Sequence, residues 1–359
     1  MQARDYEMLG ADAQAAEAAG LKSAAWYHSD LPRKDMKELM KRKDGPAIRD
    51  TIIWLGAMVV FAGWAIAIWP SWWAIVPLAC YGVLYGSATD SRWHECGHGT
   101  AFKTQWMNMV VYQIACFMIM RNPTRWRWSH TRHHTDTVIV GLDPEIALMR
   151  PPVLFRLALG YVGVLDAYDA MQMMLINASG KITDAEKSFI PEMEWPKVIR
   201  AARVRCVVYV AMLAACFYFH SVLPLLLVGL PRLYGAWHHV LTGLMQHGGL
   251  AEDVLDHRMN SRTVYINPIS RFIYWNMNYH VEHHMFPMVP YHALPQLHEM
   301  IKHDLPDASP SIWACYRDMI PAWVRQVRGE NYYLVRQLPP GAKPYQPGLH
   351  GQDVAQAAE

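Results

Sequence analysis

Histidine is the residue type whose spacing in this chain could do chemistry. His94 and His98 are four residues apart, and the stretches 130–134 and 280–284 each carry histidines at positions i, i+3 and i+4. Residues three and four apart share one face of a helix, so each stretch can point its imidazoles at a common place. We therefore predict one metal site assembled from distant parts of the chain. Its candidate ligands are His94, His98, His130, His133, His134, His280, His283 and His284.

The ligand type indicates which metal these residues would hold. Neutral imidazole binds divalent first-row metals strongly, and cysteine and carboxylate ligands are largely missing from the pattern. Three or four histidines suffice for a zinc ion, whereas eight suit two ions of higher coordination number. We expect a pair of redox-active ions, and iron fits best. Six isolated histidines are interpreted as core, surface or neighbouring positions, namely His220, His257, His292, His298, His303 and His350.

The composition points to a membrane protein and away from nucleic acid. Of the 359 residues, 52% are hydrophobic and only 18% are charged, and the net charge is +2. That charge is too small to indicate a nucleic-acid partner, and no basic run is interleaved with aromatic residues.

Four apolar stretches must position the histidines. We predict membrane spans at about 51–69, 72–89, 204–219 and 222–241, arranged as two helical hairpins. The basic residues before position 51 place the N-terminus in the cytoplasm by the positive-inside rule, so both ends of each hairpin would also lie there.

A shorter apolar stretch, 106–120, follows the first pair of histidines. If it crossed the bilayer, 130–134 would lie on the opposite side from His94 and His98. We therefore interpret it as a re-entrant or interfacial helix. The predicted organisation is a cytoplasmic segment, 1–50, a membrane domain, 51–326, and a C-terminal tail, 327–359. The fold class is all-α, with four transmembrane helices and a cytoplasmic helical cap that holds the di-iron site.

The three histidine stretches resemble those of a known family. HECGHGTAF at 94–102, HTRHH at 130–134 and NYHVEHHMFP at 278–287 are similar to the three histidine boxes of the integral-membrane fatty acid desaturases and hydroxylases. Three boxes in order, together with two apolar hairpins, make this resemblance specific over about 51–326. It implies two irons bound on the cytoplasmic face and a further ligand after the last span, which corresponds here to His247.

The resemblance also implies an activity. Such an enzyme uses O2 and two external electrons to desaturate an unactivated C–C bond of a fatty acyl or related lipid. No catalytic residue is expected beyond the metal ligands. Neighbouring groups should orient the imidazoles by accepting their free N–H groups. The candidates are Glu95, Asp136, Asp143, Glu145, His238, His239 and Glu282.

Two alternatives remain open from the sequence. A hydroxylase of the same superfamily would act on an alkane, a carotenoid or another small alkyl compound. A histidine-rich metal transporter or sensor is remote, because it would predict ionisable residues within the spans, and 51–69 has none. The sequence contains neither His-Pro-Gly-Gly nor a CxxC pair. We therefore expect a separate electron donor, namely a ferredoxin, a rubredoxin or a cytochrome b5 with its reductase.

Overall fold

Helices and connecting loops make up residues 4–346, the part of the chain that the computed structural model describes. Within that part no strand forms, and the pairs Thr263–Tyr279 and Val264–Ser309 are isolated bridges. The predicted all-α class is therefore confirmed. Much of the predicted tail, including His350, lies outside the described residues.

The α-helices are numbered here in chain order. They are α1 (Ala11–Ala18), α2 (Arg33–Leu39), α3 (Asp44–Ala67), α4 (Ile75–Gly86), α5 (Ala88–His98), α6 (Gln105–Met118), α7 (Pro123–Thr135), α8 (Leu154–Tyr161), α9 (Val164–Ala178), α10 (Asp184–Lys187), α11 (Trp195–Tyr218), α12 (Pro231–Gly235), α13 (Trp237–His247), α14 (His257–Asn260), α15 (Pro268–Ile273), α16 (His280–Met285), α17 (Leu294–Ile301) and α18 (Ile312–Val327). Single 3-10 turns occur at Trp72–Ala74, Glu192–Glu194 and Lys302–Asp304, and a π-turn occurs at Leu225–Gly229.

The apolar stretches differ in how continuous their helices are. In the described chain, the one helical stretch long and apolar enough to cross a membrane is 33–67, judged by length and composition alone. It contains α3, which covers most of the first predicted span. The predicted span 204–219 is the second half of the 24-residue helix α11.

The other two predicted spans are interrupted, which departs from the expectation of continuous helices. The stretch 72–89 begins with a 3-10 turn, continues as α4 and breaks at Ser87 before α5. The stretch 222–241 consists of the π-turn, α12 and the first part of α13. Ser87 accepts a hydrogen bond from the backbone N–H of His239 and donates one to the Gly235 carbonyl. These two hydrogen bonds therefore link the two predicted hairpins at the break.

Glycine allows the two interrupted stretches to approach closely. A Cβ atom on Gly235 would lie 1.8 Å from the carbonyl oxygen of Gly82. No side chain is compatible with that distance, so α4 and α12 cross with their backbones in contact. This crossing fixes where α5 and α13, the next helices along each chain segment, begin.

The helices that carry histidines have clear boundaries. Asn122 accepts hydrogen bonds from the backbone N–H groups of Thr124 and Arg125, and Pro123 occupies the first position of α7. This arrangement is a strong helix start. Gly99 ends α5 with a φ of +69°, a conformation that glycine adopts without steric cost. Both α5 and α7 thus carry their histidines within their last two turns.

Candidate metal centre

The structure brings nine histidines together from four helices, and they form two adjacent groups. In each group, one nitrogen atom per histidine lies within 4.8 Å of the corresponding atoms of all the others. The five-histidine group contains His94, His98, His130, His134 and His283, and the four-histidine group contains His133, His247, His280 and His284. The eight histidines of the three boxes and His247 therefore all lie at one place.

Helices α7 and α16 each serve both groups. His133 and His134 are sequence neighbours that belong to different groups, as are His283 and His284. The ring centroids of His134 and His284 are 4.5 Å apart across the boundary. The two groups are therefore side by side, as two neighbouring ions would require.

Within each group the Nε2 atoms face one another. The Nε2–Nε2 distance is 2.6 Å between His94 and His283 and 3.1 Å between His98 and His130. In the four-histidine group, Nε2 of His280 lies 3.0 Å from that of His247 and 3.0 Å from that of His284. A neutral imidazole that donates through Nδ1 offers only a lone pair at Nε2. Converging lone pairs of this kind fit a cation between them.

Four Nδ1 atoms have partners that favour the metal-binding tautomer. Nδ1 of His133 lies 2.8 Å from Asp143, and Nδ1 of His130 lies 3.0 Å from Glu145. Nδ1 of His247 lies 2.8 Å from the backbone carbonyl of Asn260, which can only accept. The hydroxyl of Thr137 donates to the His133 carbonyl, so it accepts from Nδ1 of His284. These contacts place the proton on Nδ1 and direct the Nε2 lone pair inward.

Burial keeps most of these imidazoles neutral. It lowers the pKa of His98 to about 4 and that of His247 to about 3. Burial and the neighbouring imidazoles hold the pKa of His94 and His283 well below the usual range. His133 differs: burial lowers its pKa, but Asp143 and Glu145 together outweigh that effect and raise the pKa overall. A neutral imidazole is the form that binds a metal.

Of the predicted orienting carboxylates, the structure brings only Asp143 and Glu145 to cluster imidazoles. Glu95 accepts from the Thr100 hydroxyl and from the backbone N–H of Tyr291. Glu95 follows His94 directly on α5, so it projects from a different side of the helix.

Asp136 and Glu282 also lie away from the cluster imidazoles. Asp136 accepts from the backbone N–H of Ser23 and pairs with Arg132 at 2.6 Å. Glu282 contacts Nδ1 of His298 and accepts from the Thr263 hydroxyl. The expectation that these two carboxylates orient ligands is corrected accordingly.

His238 and His239 lie outside both groups. Nε2 of His238 lies 3.0 Å from the Ser270 hydroxyl, and Nδ1 of His239 lies 3.6 Å from Asp90. Both are two turns or more from His247 on α13, which places them beyond the groups.

Several residues that contact the candidate ligands belong to no sequence motif, so sequence reasoning could not have identified them. Thr137 and the Asn260 carbonyl orient ligands, but only the folded loops bring them near. His257 is buried, its ring centroid is 5.0 Å from that of His284, and the Trp26 ring stacks on it. An isolated histidine and an isolated tryptophan give no signal in the sequence.

A cavity of about 730 Å³ opens beside the two groups. Its lining includes His94 and His130 from one group and His133, His247 and His280 from the other. Apolar side chains such as Leu165, Met173 and Leu244 share the lining with charged ones such as Asp90 and Arg121. The volume lies in the range of small-molecule sites, so a substrate could reach both groups from this cavity.

Comparison with known proteins identifies relatives of one kind. Residues 70–316 match the fatty acid desaturase family. The chain is 25% identical over 259 residues to the acyl-lipid omega-3 desaturase (cytochrome b5), endoplasmic reticulum, of Arabidopsis thaliana, which covers 66% of this chain and 64% of that protein. It is 26% identical over 261 residues to a probable fatty acid desaturase of Sorghum bicolor, covering 64% and 62%. It is also 24% identical over 285 residues to a Delta(12) acyl-lipid conjugase (11E,13E-forming) of Impatiens balsamina, covering 70% and 72%. The matched segment thus spans less than two thirds of the length of the first two relatives.

Proposed function

The chain belongs to the fatty acid desaturase family, and we propose that it is a membrane di-iron oxidoreductase that uses O2 and two external electrons to desaturate a fatty acyl or related lipid substrate. The observation that carries the proposal is the pair of adjacent histidine groups beside a cavity. The family match and the relatives named above support the reaction class.

The donor set favours iron over the common alternatives. All nine candidate ligands are imidazoles, and neither group includes a cysteine. Zinc in structural sites takes four ligands, whereas one group here offers five and the other four. Imidazole suits iron, and two irons would supply the oxidising power to remove hydrogen from an unactivated C–H bond.

The protein's own residues would bind and orient the reactants. The five-histidine and four-histidine groups would each hold one iron, and Asp143 and Glu145 would fix the imidazole rings of His133 and His130. The cavity would position the C–H bond and exclude bulk water, which contributes through orientation.

Apolar exposure supports the membrane location and the four-span arrangement. On α3, Val59 is 71% exposed and Val60 is 64% exposed; on α11, Val207 is 68% exposed and Phe217 is 79% exposed. A contiguous apolar surface of this kind requires lipid or a partner. Trp72, 87% exposed, lies between α3 and α4, where an interfacial tryptophan would be expected. The histidines and both termini would then lie on the cytoplasmic side.

Electrons would arrive from a separate acidic carrier, for which ferredoxin, rubredoxin and cytochrome b5 are the candidates. A groove beside α2 is lined by Arg33, Lys37 and Phe286, among others. Phe286 lies two residues after His284. His28, in the same groove, contacts the Trp26 carbonyl through Nδ1, and Trp26 stacks on His257 next to His284. The basic groove would attract an acidic donor, and the ring stack connects it to the four-histidine group.

Metal content and product mass test the proposal. The detergent-purified protein should contain about two irons per chain. His134→Ala and His283→Ala each remove a ligand of the five-histidine group, so each variant should lose roughly one of the two irons. With O2, a reducing system and a panel of acyl substrates, the product should be lighter than the substrate by two hydrogens. One zinc per chain, or a full complement of two irons in both variants, would contradict the di-iron site.

Hydroxylation remains the second candidate because the cavity lining includes several charged side chains, Asp90 and Arg121 among them. Such a lining suits a small polar alkyl compound as well as an acyl chain. A product heavier by one oxygen atom would favour this alternative while leaving the metal site intact.

A further inference from the structure

One buried arginine in the cavity lining lacks the ion-pair partner that the other buried arginines of the lining have. Arg121 pairs with Asp90 at 3.2 Å, and Arg232 pairs with Asp166 at 2.8 Å. Arg125 pairs with Glu186 at 3.2 Å. Arg205 lines the same cavity and is only 7% exposed. In the described part of the chain it forms neither a hydrogen bond nor an ion pair.

Among the described residues, no carboxylate is found to neutralise Arg205. The groups that interact with it electrostatically are Cys116, Tyr209 and Tyr112. A buried charge without a partner is costly, so buried arginines in native proteins are normally paired. An ionisable residue within a predicted span is also a sign of function. A bound anion would supply the missing partner.

Other buried arginines show that Arg205 is exceptional in this fold. Arg92 is fully buried without a carboxylate partner, but it donates to the carbonyls of Ala88 and Ile273 and packs on the Trp275 ring. Arg262 donates to the Met245 carbonyl. Those two have structural partners and do not line the cavity, whereas Arg205 does and has none.

Tyr209 extends the same surface. It lies four residues after Arg205 on α11, so the two side chains share a helix face, and it lines the cavity too. Its hydroxyl forms no hydrogen bond within the described residues. A guanidinium and a free hydroxyl side by side offer several N–H donors and one O–H donor, which suits an oxyanion.

We propose that Arg205 and Tyr209 form a subsite for a singly charged oxyanion at one end of the substrate, while the histidine groups act on its alkyl part. This inference rests on the proposed function, because it assumes that the cavity receives the substrate. One unpaired guanidinium matches one negative charge. A free fatty carboxylate and the phosphodiester of a membrane lipid share that chemistry. A neutral ester or alcohol does not.

Binding, measured without turnover, tests this subsite. The full-length protein in a neutral detergent is titrated with hexadecanoate, with its methyl ester and with hexadecanol. We expect hexadecanoate to bind at least tenfold more tightly than either neutral compound. This comparison needs no variant and no iron, so it separates failure of the subsite from failure of the proposed reaction. Equal affinities of wild type for all three compounds, with phosphatidylcholine failing to compete, would overturn the proposal.

Variants locate the effect at Arg205. Arg205→Gln should remove the preference for the carboxylate, Arg205→Lys should retain part of it, and Tyr209→Phe should weaken it. Arg200→Gln is the matched control, because Arg200 is an exposed arginine on the same helix. A carboxylate preference that persists in a folded Arg205→Gln protein would place the anion elsewhere.

A last titration distinguishes the two sources of the anion. Phosphatidylcholine supplied in lipid nanodiscs competes with hexadecanoate if the natural ligand is a lipid phosphate. If it does not compete, the subsite takes a free carboxylate. Whichever anion is the ligand, loss of its preferential binding in Arg205→Gln supports the oxyanion subsite.

Discussion

The indole ring of Trp26 lies flat on the imidazole of His257, with ring centroids 4.2 Å apart and ring planes that differ by 3°. The His257 ring also neighbours a candidate metal ligand, because its centroid is 5.0 Å from that of His284. A partly exposed ring is thereby connected to a candidate metal ligand through one buried ring.

Replacing Trp26 should slow electron delivery without removing metal. We expect Trp26→Leu to lower turnover severalfold when electrons come from a protein donor, because the stacked ring is lost from the route. Trp26→Phe should keep most of the activity. Iron content should match wild type in both variants, and a small chemical reductant should reduce them all at similar rates.

The control for that experiment is Trp313→Leu, since Trp313 is 75% exposed and forms no ring stack within the described residues. If Trp26→Leu and Trp313→Leu behave alike with the protein donor, the route through His257 has no role.

The two histidine groups predict that metal is lost in two separable portions. His98→Ala removes a ligand from the five-histidine group alone, and His247→Ala removes one from the four-histidine group alone. We expect each variant to retain roughly one of two irons and the double variant to retain neither, measured by elemental analysis. His303→Ala, at an exposed position, should retain both. Loss of all iron in either single variant would show that the ions bind only together.

Asp143 and Asp136 provide a matched pair of carboxylates near the second box. Asp143 contacts Nδ1 of His133, whereas Asp136 pairs with Arg132. We expect Asp143→Asn to weaken iron binding by about 10- to 100-fold in a chelator competition, because the ring loses the acceptor that orients it. Asp136→Asn should change iron affinity little. The reverse order of effects would mean that Asp136 is the orienting group.

Replacing Arg258, which lies outside the cavity lining, should have a large effect on the stability of the fold. It is fully buried and pairs with Asp256 at 2.8 Å and with Asp304 at 3.1 Å. Removing one partner leaves buried carboxylates without a counterion, so Arg258→Gln should lower the free energy of unfolding by about 3–5 kcal/mol. Thermal unfolding in detergent measures the change. A shift no larger than that of Arg200→Gln would contradict it.

One of these carboxylates, Asp304, also predicts a dependence of stability on pH. Burial alone would raise the pKa of Asp304, but hydrogen bonds from Ser29 and Tyr27, with the nearby Arg258, lower it overall. A lowered pKa in the folded state stabilises the protein above the unfolded value, and this contribution is lost as pH falls through the folded value. Tyr27→Phe should therefore destabilise the protein more at pH 7 than at pH 3. An equal loss at both values would show that Tyr27 acts through packing alone.

The histidine motifs predicted that the three helices carrying them meet, but they did not predict how the site is divided. Spacing at i, i+3 and i+4 places three imidazoles on one face of a helix. It does not show that His133 and His134 belong to different groups, because that depends on where α5, α13 and α16 approach. His247 came from a family resemblance, and the structure places it in the four-histidine group.

The carboxylates that orient the imidazoles were harder to predict, because closeness to a histidine in sequence does not show where a carboxylate side chain points. Glu95 and Glu282 lie within the boxes, yet the helix turns them away from the imidazoles. Asp143 lies ten residues after His133, and the loop that follows α7 returns it to that ring. In the same way, composition revealed the apolar stretches but not the break at Ser87, which depends on contact with Gly235.

Helices α7 and α16 each set the spacing between the two histidine groups. Each carries two consecutive histidines that belong to different groups, His133 and His134 on α7 and His283 and His284 on α16. The distance between two consecutive side chains on a helix is set by covalent geometry and the helical repeat, not by how the helices pack. Small motions of the helices relative to one another, or a substrate that displaces α7, would therefore move the two histidine groups together. The separation between the two ions would then change little, even where the surrounding helices are compliant.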